Sequence, residues 1–155
     1  MIQFTRRSDG KYQLEMTQLL PAGRAKVFDF FSDAFQIAAI TPPWLNFSVV
    51  TPAPIEMKVG ALIDYTARIY GIRVSGQTKV TEWEPEEWFV DEQVKGPYRY
   101  LRHEHTFEVD GECTLVRDRL IYRVPLGALA QRLIVKRKLE SIFEYRRERL
   151  YEFFA

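Results

Sequence analysis

The sequence predicts an α+β fold in which an antiparallel seven-stranded sheet curves around one long C-terminal helix. Six strand-like segments follow one another between residues 46 and 124 with short turns between them, which favours an antiparallel meander. The segment from Ala128 to Phe153 contains no Gly or Pro and is dense in Leu, Arg, Lys and Glu, which is typical of a helix. Residues 1–155 are therefore expected to form one domain.

The composition excludes several function classes. A net charge of +1 gives no general attraction to nucleic acid. No segment approaches the roughly 20 apolar residues that a membrane span requires. The single cysteine, Cys113, forms no intramolecular disulfide, and no signal peptide is recognised at the N-terminus. We therefore expect a cytoplasmic protein.

The first third of the chain predicts one strand followed by two short helices. Residues 12–19 alternate between polar and apolar side chains, as a half-buried strand does. After Pro21 and Gly23, helical spacing of apolar residues predicts helices over 24–31 and 33–39. The prolines that follow end the second helix, because the residue before a proline is pushed out of the helical region.

Four strands are predicted next, over residues 46–51, 61–70, 73–83 and 87–94. In the last of these, either Asp91 or Glu92 lies on the inner face, and the alternation does not decide which. An acidic side chain is thus expected on the buried side of the sheet.

The last two strands carry the only two histidines of the chain, His103 and His105. Asp110-Gly111 lies between two strand-like segments, which is the strongest short hairpin signal in a sequence. A turn at those two residues pairs His103 with Asp118. The predicted inner face is mostly apolar but carries titratable groups: Leu101, His103, His105, Phe107, Thr114, Val116, Asp118, Leu120 and Tyr122.

The long helix carries Arg146 in its apolar stripe, one turn from Ile142 and one from Leu150. An unpaired buried guanidinium is costly, so we expect a carboxylate partner, namely Asp118, Asp91 or Glu92, or else a bound anion. A twisted sheet wrapped around such a helix leaves a gap, which is a natural ligand site.

His103 and Asp118 allow three interpretations. They form a general acid/base pair, an anchor for the polar head of a ligand, or a buried pair that fixes the hairpin register. The two histidines also suggest a metal, with Asp118 as a third ligand; Glu108 has the wrong parity. The spacing does not follow the usual cupin pattern, so we expect neither a metal nor a cofactor.

Aromatic residues complete the candidate site. Tyr65, Tyr98 and Tyr122 place hydroxyl groups near the expected gap, where they contact either a ligand or a core partner. Trp44, in Thr41-Pro42-Pro43-Trp44-Leu45, belongs either to a flap at the ligand entrance or to a loop that caps the core.

The sequence resembles the START-like, or SRPBCC, superfamily, which includes polyketide cyclase/dehydrase-like proteins, and an uncharacterised bacterial subgroup of it. The resemblance is carried by Ile40–Leu45, Gly60–Tyr65, Trp83–Pro85, Phe89–Gln93, Gly96–Tyr98, His103, His105, Phe107, Asp118, Tyr122, Pro125, Gly127 and Ile142–Arg146. It implies the helix-grip fold and a ligand cavity between sheet and helix, and only some members of the superfamily are enzymes.

From residues and resemblance together we expect binding of a small hydrophobic or amphipathic molecule. The candidate ligand contacts are Tyr65, Asp91, Tyr98, His103, His105, Asp118, Tyr122, Arg146 and Trp44. One alternative is a cyclase-, dehydratase- or hydrolase-type enzyme that uses His103 and Asp118. The other is a partner-binding module that acts through the Trp44 loop and has no cavity.

Overall fold

A computed structural model describes residues 2–125 and 127–155, with the backbone alone for 127, 128, 132 and 133. The strands are β1 (Ile2–Arg6), β2 (Tyr12–Leu20), β3 (Ser48–Val49), β4 (Leu62–Ile69), β5 (Ile72–Glu84), β6 (Trp88–Lys95), β7 (Tyr100–Asp110) and β8 (Cys113–Arg123). The helices are α1 (Arg24–Phe31), α2 (Ala34–Ala39), α3 (Gly127–Ala130) and α4 (Lys136–Phe154), with a 3₁₀ turn at Pro43–Leu45 and a π-helical turn at Gln131–Val135.

The strands form one antiparallel sheet in the order β1-β2-β8-β7-β6-β5-β4-β3. The α+β class and the two short helices after the first predicted strand are confirmed, but the sheet has eight strands rather than seven. The additional strand, β1, pairs with β2 at the sheet edge from Ile2↔Met16 to Arg6↔Tyr12. Its five residues, half exposed at an edge, carry too short a pattern to be recognised.

The sheet is curved where β5 departs from regular pairing with β6. The register shifts between Gln77 and Thr78 and again between Val80 and Glu82. Such bulges bend a strand and increase its twist. The concave face that results surrounds the C-terminal helix, which is the helix-grip arrangement.

The hairpin of β7 and β8 has a register that differs from the predicted one. Asp110 pairs with Cys113, so Gly111 and Glu112 form the turn, and Gly111 takes the positive φ of 61° that such a turn requires. Asp118 is consequently opposite His105, and His103 is opposite Leu120. The prediction that His103 pairs with Asp118 was wrong by two residues, a shift that leaves every side chain on its predicted face.

The predicted long helix is present from Gly127 to Phe154, with the π-helical turn inside it. Its buried side consists of Leu139, Phe143, Arg146, Leu150 and Phe154, which recur at helical spacing. The membership of Arg146 in the buried stripe is therefore confirmed. None of the helices in the described residues is long and apolar enough to cross a membrane.

Two groups of buried apolar side chains fill the space between sheet and helices. The first contains Phe28, Phe31, Phe89 and Phe107 and lies under α1 and the end of α4. The second contains Leu14, Met16, Leu120, Tyr122, Leu139 and Phe143 and lies under the start of α4. His105 contacts the rings of Phe31 and Phe89, and His103 contacts Phe143, so the histidines lie where the two groups meet.

Candidate functional site

A cavity of about 180 Å³ lies between the concave face of the sheet, the helix α2 and the C-terminal helix. Most of its wall is apolar and comes from Phe31, Ala34, Ile37, Phe47, Val49, Met57, Ile63, Val80, Phe89 and Leu101. Polar side chains lie along the rest, namely Tyr65, Thr78, Asp91, Gln93, His103, His105 and Arg146. An apolar pocket with a few converging polar groups is the usual form of a small-molecule site.

His105 lies between two carboxylates. Its Nδ1 is 2.9 Å from Oδ1 of Asp118, and its Nε2 is 3.0 Å from Oδ2 of Asp91. Ionised carboxylates only accept hydrogen bonds, so both ring nitrogens donate and the ring is an imidazolium. Burial alone opposes that charge, but the bonds to Asp118 and Asp91 outweigh it and raise the pKa of His105.

Asp118 has no exposed surface and lies behind both histidines, outside the cavity wall. Burial by itself raises the pKa of the carboxyl group, but the Arg146 charge and the adjacent His103 and His105 rings prevail, so the pKa of Asp118 lies well below its ordinary value. Its Oδ2 has no hydrogen-bond partner among the described residues. Asp118 is therefore a buried negative charge shared by three basic side chains.

His103 reaches Asp118 less directly than His105 does. Its Nε2 is 3.3 Å from Asp118 Oδ1 but makes no well-directed hydrogen bond in the described residues. Its ring centroid is 3.9 Å from that of His105. Burial, and then the neighbouring His105 charge, lower the pKa of His103. The pKa values of the two adjacent histidines are thus shifted in opposite directions.

Asp91, rather than Glu92, is the acidic residue of β6 on the inner face of the sheet. It lies opposite His103 in the ladder and lines the cavity, whereas Glu92 faces the outside and contacts Arg102. Thr78 donates a hydrogen bond to Asp91 Oδ1 at 3.2 Å. Burial works against ionisation, but the bond from His105 prevails and the pKa of Asp91 is lowered.

Arg146 reaches the cavity from α4. Its side chain is 9% exposed, and its Nη2 is 3.6 Å from Asp118 Oδ1, so the expected carboxylate partner is present. Nε and Nη2 make no hydrogen bond in the described residues. The guanidinium also lies over the ring of Phe31, 5.3 Å from its centroid. Arg146 therefore holds α4 to the sheet, and its Nε and Nη2 can still donate hydrogen bonds beside the cavity.

Tyr65 lines the cavity opposite a glycine on the neighbouring strand. A Cβ at Gly76 would lie 2.3 Å from Cζ of Tyr65, so the ring requires a residue without a side chain there. Phe47 packs on the other side of the ring, with centroids 5.3 Å apart. Burial, and to a lesser degree the charge of Asp91, raise the pKa of the Tyr65 hydroxyl.

A second cavity, of about 270 Å³, lies beside the π-helical turn and contains Trp44 and Tyr98 in its wall. Trp44 is 46% exposed. Lys138 of α4 places its Nζ 4.1 Å from the ring centroid of Trp44 and 5.1 Å from that of Tyr70. Trp44 and Tyr98 thus belong to a different cavity from the histidines, which the sequence did not predict because 125–135 were interpreted only as turn and regular helix.

Tyr122 and Asp118 were both expected to contact a ligand, but neither lines these two cavities. Tyr122 is fully buried, and its hydroxyl accepts a 2.6 Å hydrogen bond from Nε2 of Gln131. Burial raises the pKa of Tyr122 to about 12. Tyr122 packs with Leu139 and Phe143 in the second group of buried side chains, beneath the start of α4.

Several lining residues were not among the candidates. Thr78 lies on the inner face of β5, so the alternation of side chains along the strand could have identified it as a lining residue. Gln93 bonds to the backbone of Tyr98 through both ends of its amide, at 2.7 and 3.3 Å, and so holds the loop after β6. Phe47 lies within the strand predicted over residues 46–51 but precedes the two-residue strand β3 that forms there, and Met57 lies in an irregular segment without a periodic pattern.

The fold and the cavity together define a helix-grip protein with a small-molecule-sized pocket. A model of the family described as "Polyketide cyclase / dehydrase and lipid transport" matches residues 20–144, and the chain belongs to that family. A search of curated proteins finds no match.

Solved structures share the fold at low sequence identity. TTHA0849 from Thermus thermophilus is 20% identical, with a TM-score of 0.65 over 92% of this chain and 99% of that chain. Ginseng major latex-like protein 151 from Panax ginseng is 12% identical, with a TM-score of 0.69 over 94% and 99%. The Zhui aromatase/cyclase from Streptomyces sp. R1128 is 14% identical, with a TM-score of 0.66 over 92% of each chain. Identities this low establish the shared fold and nothing more specific.

Proposed function

We propose that this protein binds a small, mainly apolar molecule with one polar end in the cavity between sheet and α4. The observation that carries this proposal is the separation of the cavity wall into an aromatic and aliphatic part and a polar part built from Asp91, His103, His105 and Arg146. Membership of a family described by cyclase, dehydrase and lipid-transport activities supports it. A cavity of about 150 Å³ accommodates benzene, so 180 Å³ suits a ligand of about one substituted ring.

A thermal-shift screen tests the proposal with phenols, quinones, short-chain fatty acids and small polyketide-like aromatic compounds. We expect at least one class to raise the melting temperature in a concentration-dependent way, because a ligand that binds the native state alone stabilises it. Ala34→Phe, which adds a ring to the cavity wall, is expected to remove the shift.

The matched control is Ala39→Phe, since Ala39 lies on the same short helix but is exposed. It is expected to leave the shift intact. The proposal fails if no compound produces a shift, or if both variants respond as the wild type does.

An enzyme of cyclase, dehydratase or hydrolase type is the second candidate, with His103 as the group that contacts the substrate. It is supported by the placement of His103 beside His105 at the cavity wall, with the pKa of His103 lowered and that of His105 raised, because paired titratable groups whose pKa values are pushed apart suit proton transfer. His103→Gln separates the two candidates. Under the enzyme proposal the variant still binds a ligand that the wild type converts, but converts it at least about 100-fold more slowly.

The third alternative, a partner-binding module without a cavity, has less support. It required an exposed apolar surface around Trp44 and no enclosed space. Trp44 is half exposed, but it lines a cavity and lies against the cation of Lys138.

A further inference from the structure

Three potential metal ligands converge at the polar part of the cavity wall. One nitrogen each of His103 and His105 and one carboxylate oxygen of Asp91 lie within 4.8 Å of one another. Zinc–nitrogen and zinc–oxygen bonds are about 2.0–2.2 Å long, so neighbouring ligand atoms of a tetrahedral ion are about 3.4 Å apart. Rotations of the three side chains that bring these atoms closer together would let all of them reach one ion.

The backbone fixes these three positions with little freedom. His103 and His105 lie on the same face of β7, and Asp91 is the ladder partner of His103 on β6. Ligands on adjacent paired strands are held more precisely than ligands on loops. The set is therefore organised before any ion arrives.

Asp118 supplies the support that metal-binding histidines usually have. A ligating imidazole commonly donates its other N–H to a carboxylate, which orients the ring and increases its basicity. His105 makes this bond through Nδ1 to Asp118 at 2.9 Å, which leaves Nε2 directed at Asp91. An ion coordinated by Nε2 and by Asp91 takes the place of the hydrogen between them.

The charges and the open space also suit a cation. With both imidazoles neutral, the two carboxylates outweigh the single charge of Arg146 by one negative charge, which a divalent ion would overcompensate by one. All three ligands line the cavity, so the remaining coordination positions face the space in which a small molecule fits. The sequence offered Asp118 as the third ligand, ruled out Glu108 by its parity, and led us to expect no metal. In the structure Asp91, not Asp118, lines the cavity beside the two histidines.

We propose that Asp91, His103 and His105 form a binding site for a divalent transition-metal ion, with Asp118 as the supporting carboxylate. Two imidazoles and one carboxylate are a donor set that Zn²⁺ and Fe²⁺ both accept, with open positions for an exogenous ligand. The site differs from a closed structural site, which uses four protein ligands.

The test uses full-length, chelator-treated protein without a polyhistidine tag, titrated with Zn²⁺ by calorimetry and with Co²⁺ by visible absorption. We expect one ion per chain and the appearance of Co²⁺ d–d bands. Asp91→Asn and His103→Gln are expected to lose the stoichiometric signal. Asp118→Asn is expected to weaken binding by roughly 10–100-fold.

Two outward-facing variants from the same strands are the matched controls. Glu92→Gln neighbours Asp91, and Glu104→Gln lies between the two histidines, yet both side chains face away from the cavity. Both are expected to bind the ion as the wild type does. If a replacement at His103 does not fold, Asp91→Asn decides, because Asp91 is at the cavity surface and its replacement keeps the shape.

The proposal is overturned if the wild type takes up no ion stoichiometrically, or if Asp91→Asn binds as tightly as Glu92→Gln. The thermal-shift screen repeated on chelator-treated protein keeps this result separate from the proposed function. Ligand binding without ion uptake rejects the metal site alone, whereas ion uptake without any ligand rejects the proposed ligand binding alone.

Discussion

The two faces of strands β6, β7 and β8 both carry titratable groups and use them differently. On the inner face, His105 and Asp118 are buried, and His105 lies within hydrogen-bond distance of both Asp118 and Asp91. On the outer face, alternate positions hold an ion-pair network: Arg102 contacts Glu82 at 2.6 Å, Glu104 at 2.9 Å and Glu92 at 3.4 Å. Strand parity, rather than residue type, separates the two sets.

The difference shows which charges are available for chemistry. Arg102 has three carboxylates, and exposed pairs of this kind each contribute about 0–1 kcal/mol and are screened by salt. The inner groups include atoms without hydrogen-bond partners in the described residues, among them Asp118 Oδ2 and Arg146 Nε. Buried polar groups that lack partners are costly, so their presence in a folded protein points to a functional use.

The largest expected effect comes from Asp118→Asn. The change removes the negative charge that faces Arg146 and His105, and it leaves the buried Arg146 without its carboxylate partner and His105 with Asp91 alone, so we expect a loss of about 3–5 kcal/mol in the free energy of unfolding. Urea denaturation measures it. Glu104→Gln, the outer-face control, is expected to lose less than about 1 kcal/mol. Equal losses would mean that burial does not distinguish the two faces.

Gly76→Ala tests the cavity wall rather than the charges. The new methyl group overlaps the ring of Tyr65, and overpacking of this kind costs about 1–3 kcal/mol. The displaced ring is also expected to reduce the affinity for any ligand found in the thermal-shift screen. In a Tyr65→Leu background the same glycine substitution is expected to cost much less; an undiminished cost there would contradict the proposed overlap.

Tyr122→Phe tests an inner-face group that is polar but uncharged. It removes the acceptor for Gln131 Nε2, and the loss of one buried hydrogen bond is worth about 1 kcal/mol. Thermal or chemical denaturation is sensitive enough to detect this. Tyr151→Phe, at an exposed position on α4, is expected to change stability by less than half as much. Identical values for the two tyrosines would argue against a specific role for the Tyr122 bond.

Arg102→Met has the smallest expected effect, about 0.5–1 kcal/mol, although Arg102 makes three ion pairs. Its salt dependence distinguishes it from Asp118→Asn. At about 1 M salt the cost of Arg102→Met is expected to fall towards zero, whereas the cost of Asp118→Asn persists because buried charges are screened much less. Denaturation at two salt concentrations compares the variants, and a cost for Arg102→Met that salt leaves unchanged would contradict the outer-face assignment.

The periodicity of the sequence was sufficient to predict much of the fold and most residues of the inner face. Alternation of side chains placed His103, His105 and Asp118 on the buried face because parity survives a register error of two residues. The turn itself was misplaced, since Asp110-Gly111 and Gly111-Glu112 both supply a glycine for the positive φ. The choice between Asp91 and Glu92 depended on the pairing of Asp91 with His103 on the neighbouring strand, which alternation within one strand does not reveal.

Features formed by distant or irregular segments were beyond such reasoning. The second cavity joins the 3₁₀ turn at Trp44 to a π-helical turn, and neither has a periodic signature. The contact of Lys138 with Trp44 and Tyr70 joins three segments that are far apart in the chain. Only the folded structure shows that the candidate residues divide between two cavities.

The short turn at Gly111-Glu112 constrains how this protein can change in length. A shift of the strand pairing by one residue would exchange the two faces of one strand of the hairpin, so that Arg117 and Arg119 would face the interior. A shift by two residues would keep every side chain on its own face and would place His103 or Phe107 opposite Asp118, depending on its direction. Length changes at this turn that shift the pairing are therefore expected to be tolerated only in steps of two residues, and each step would re-aim the buried carboxylate along the strand.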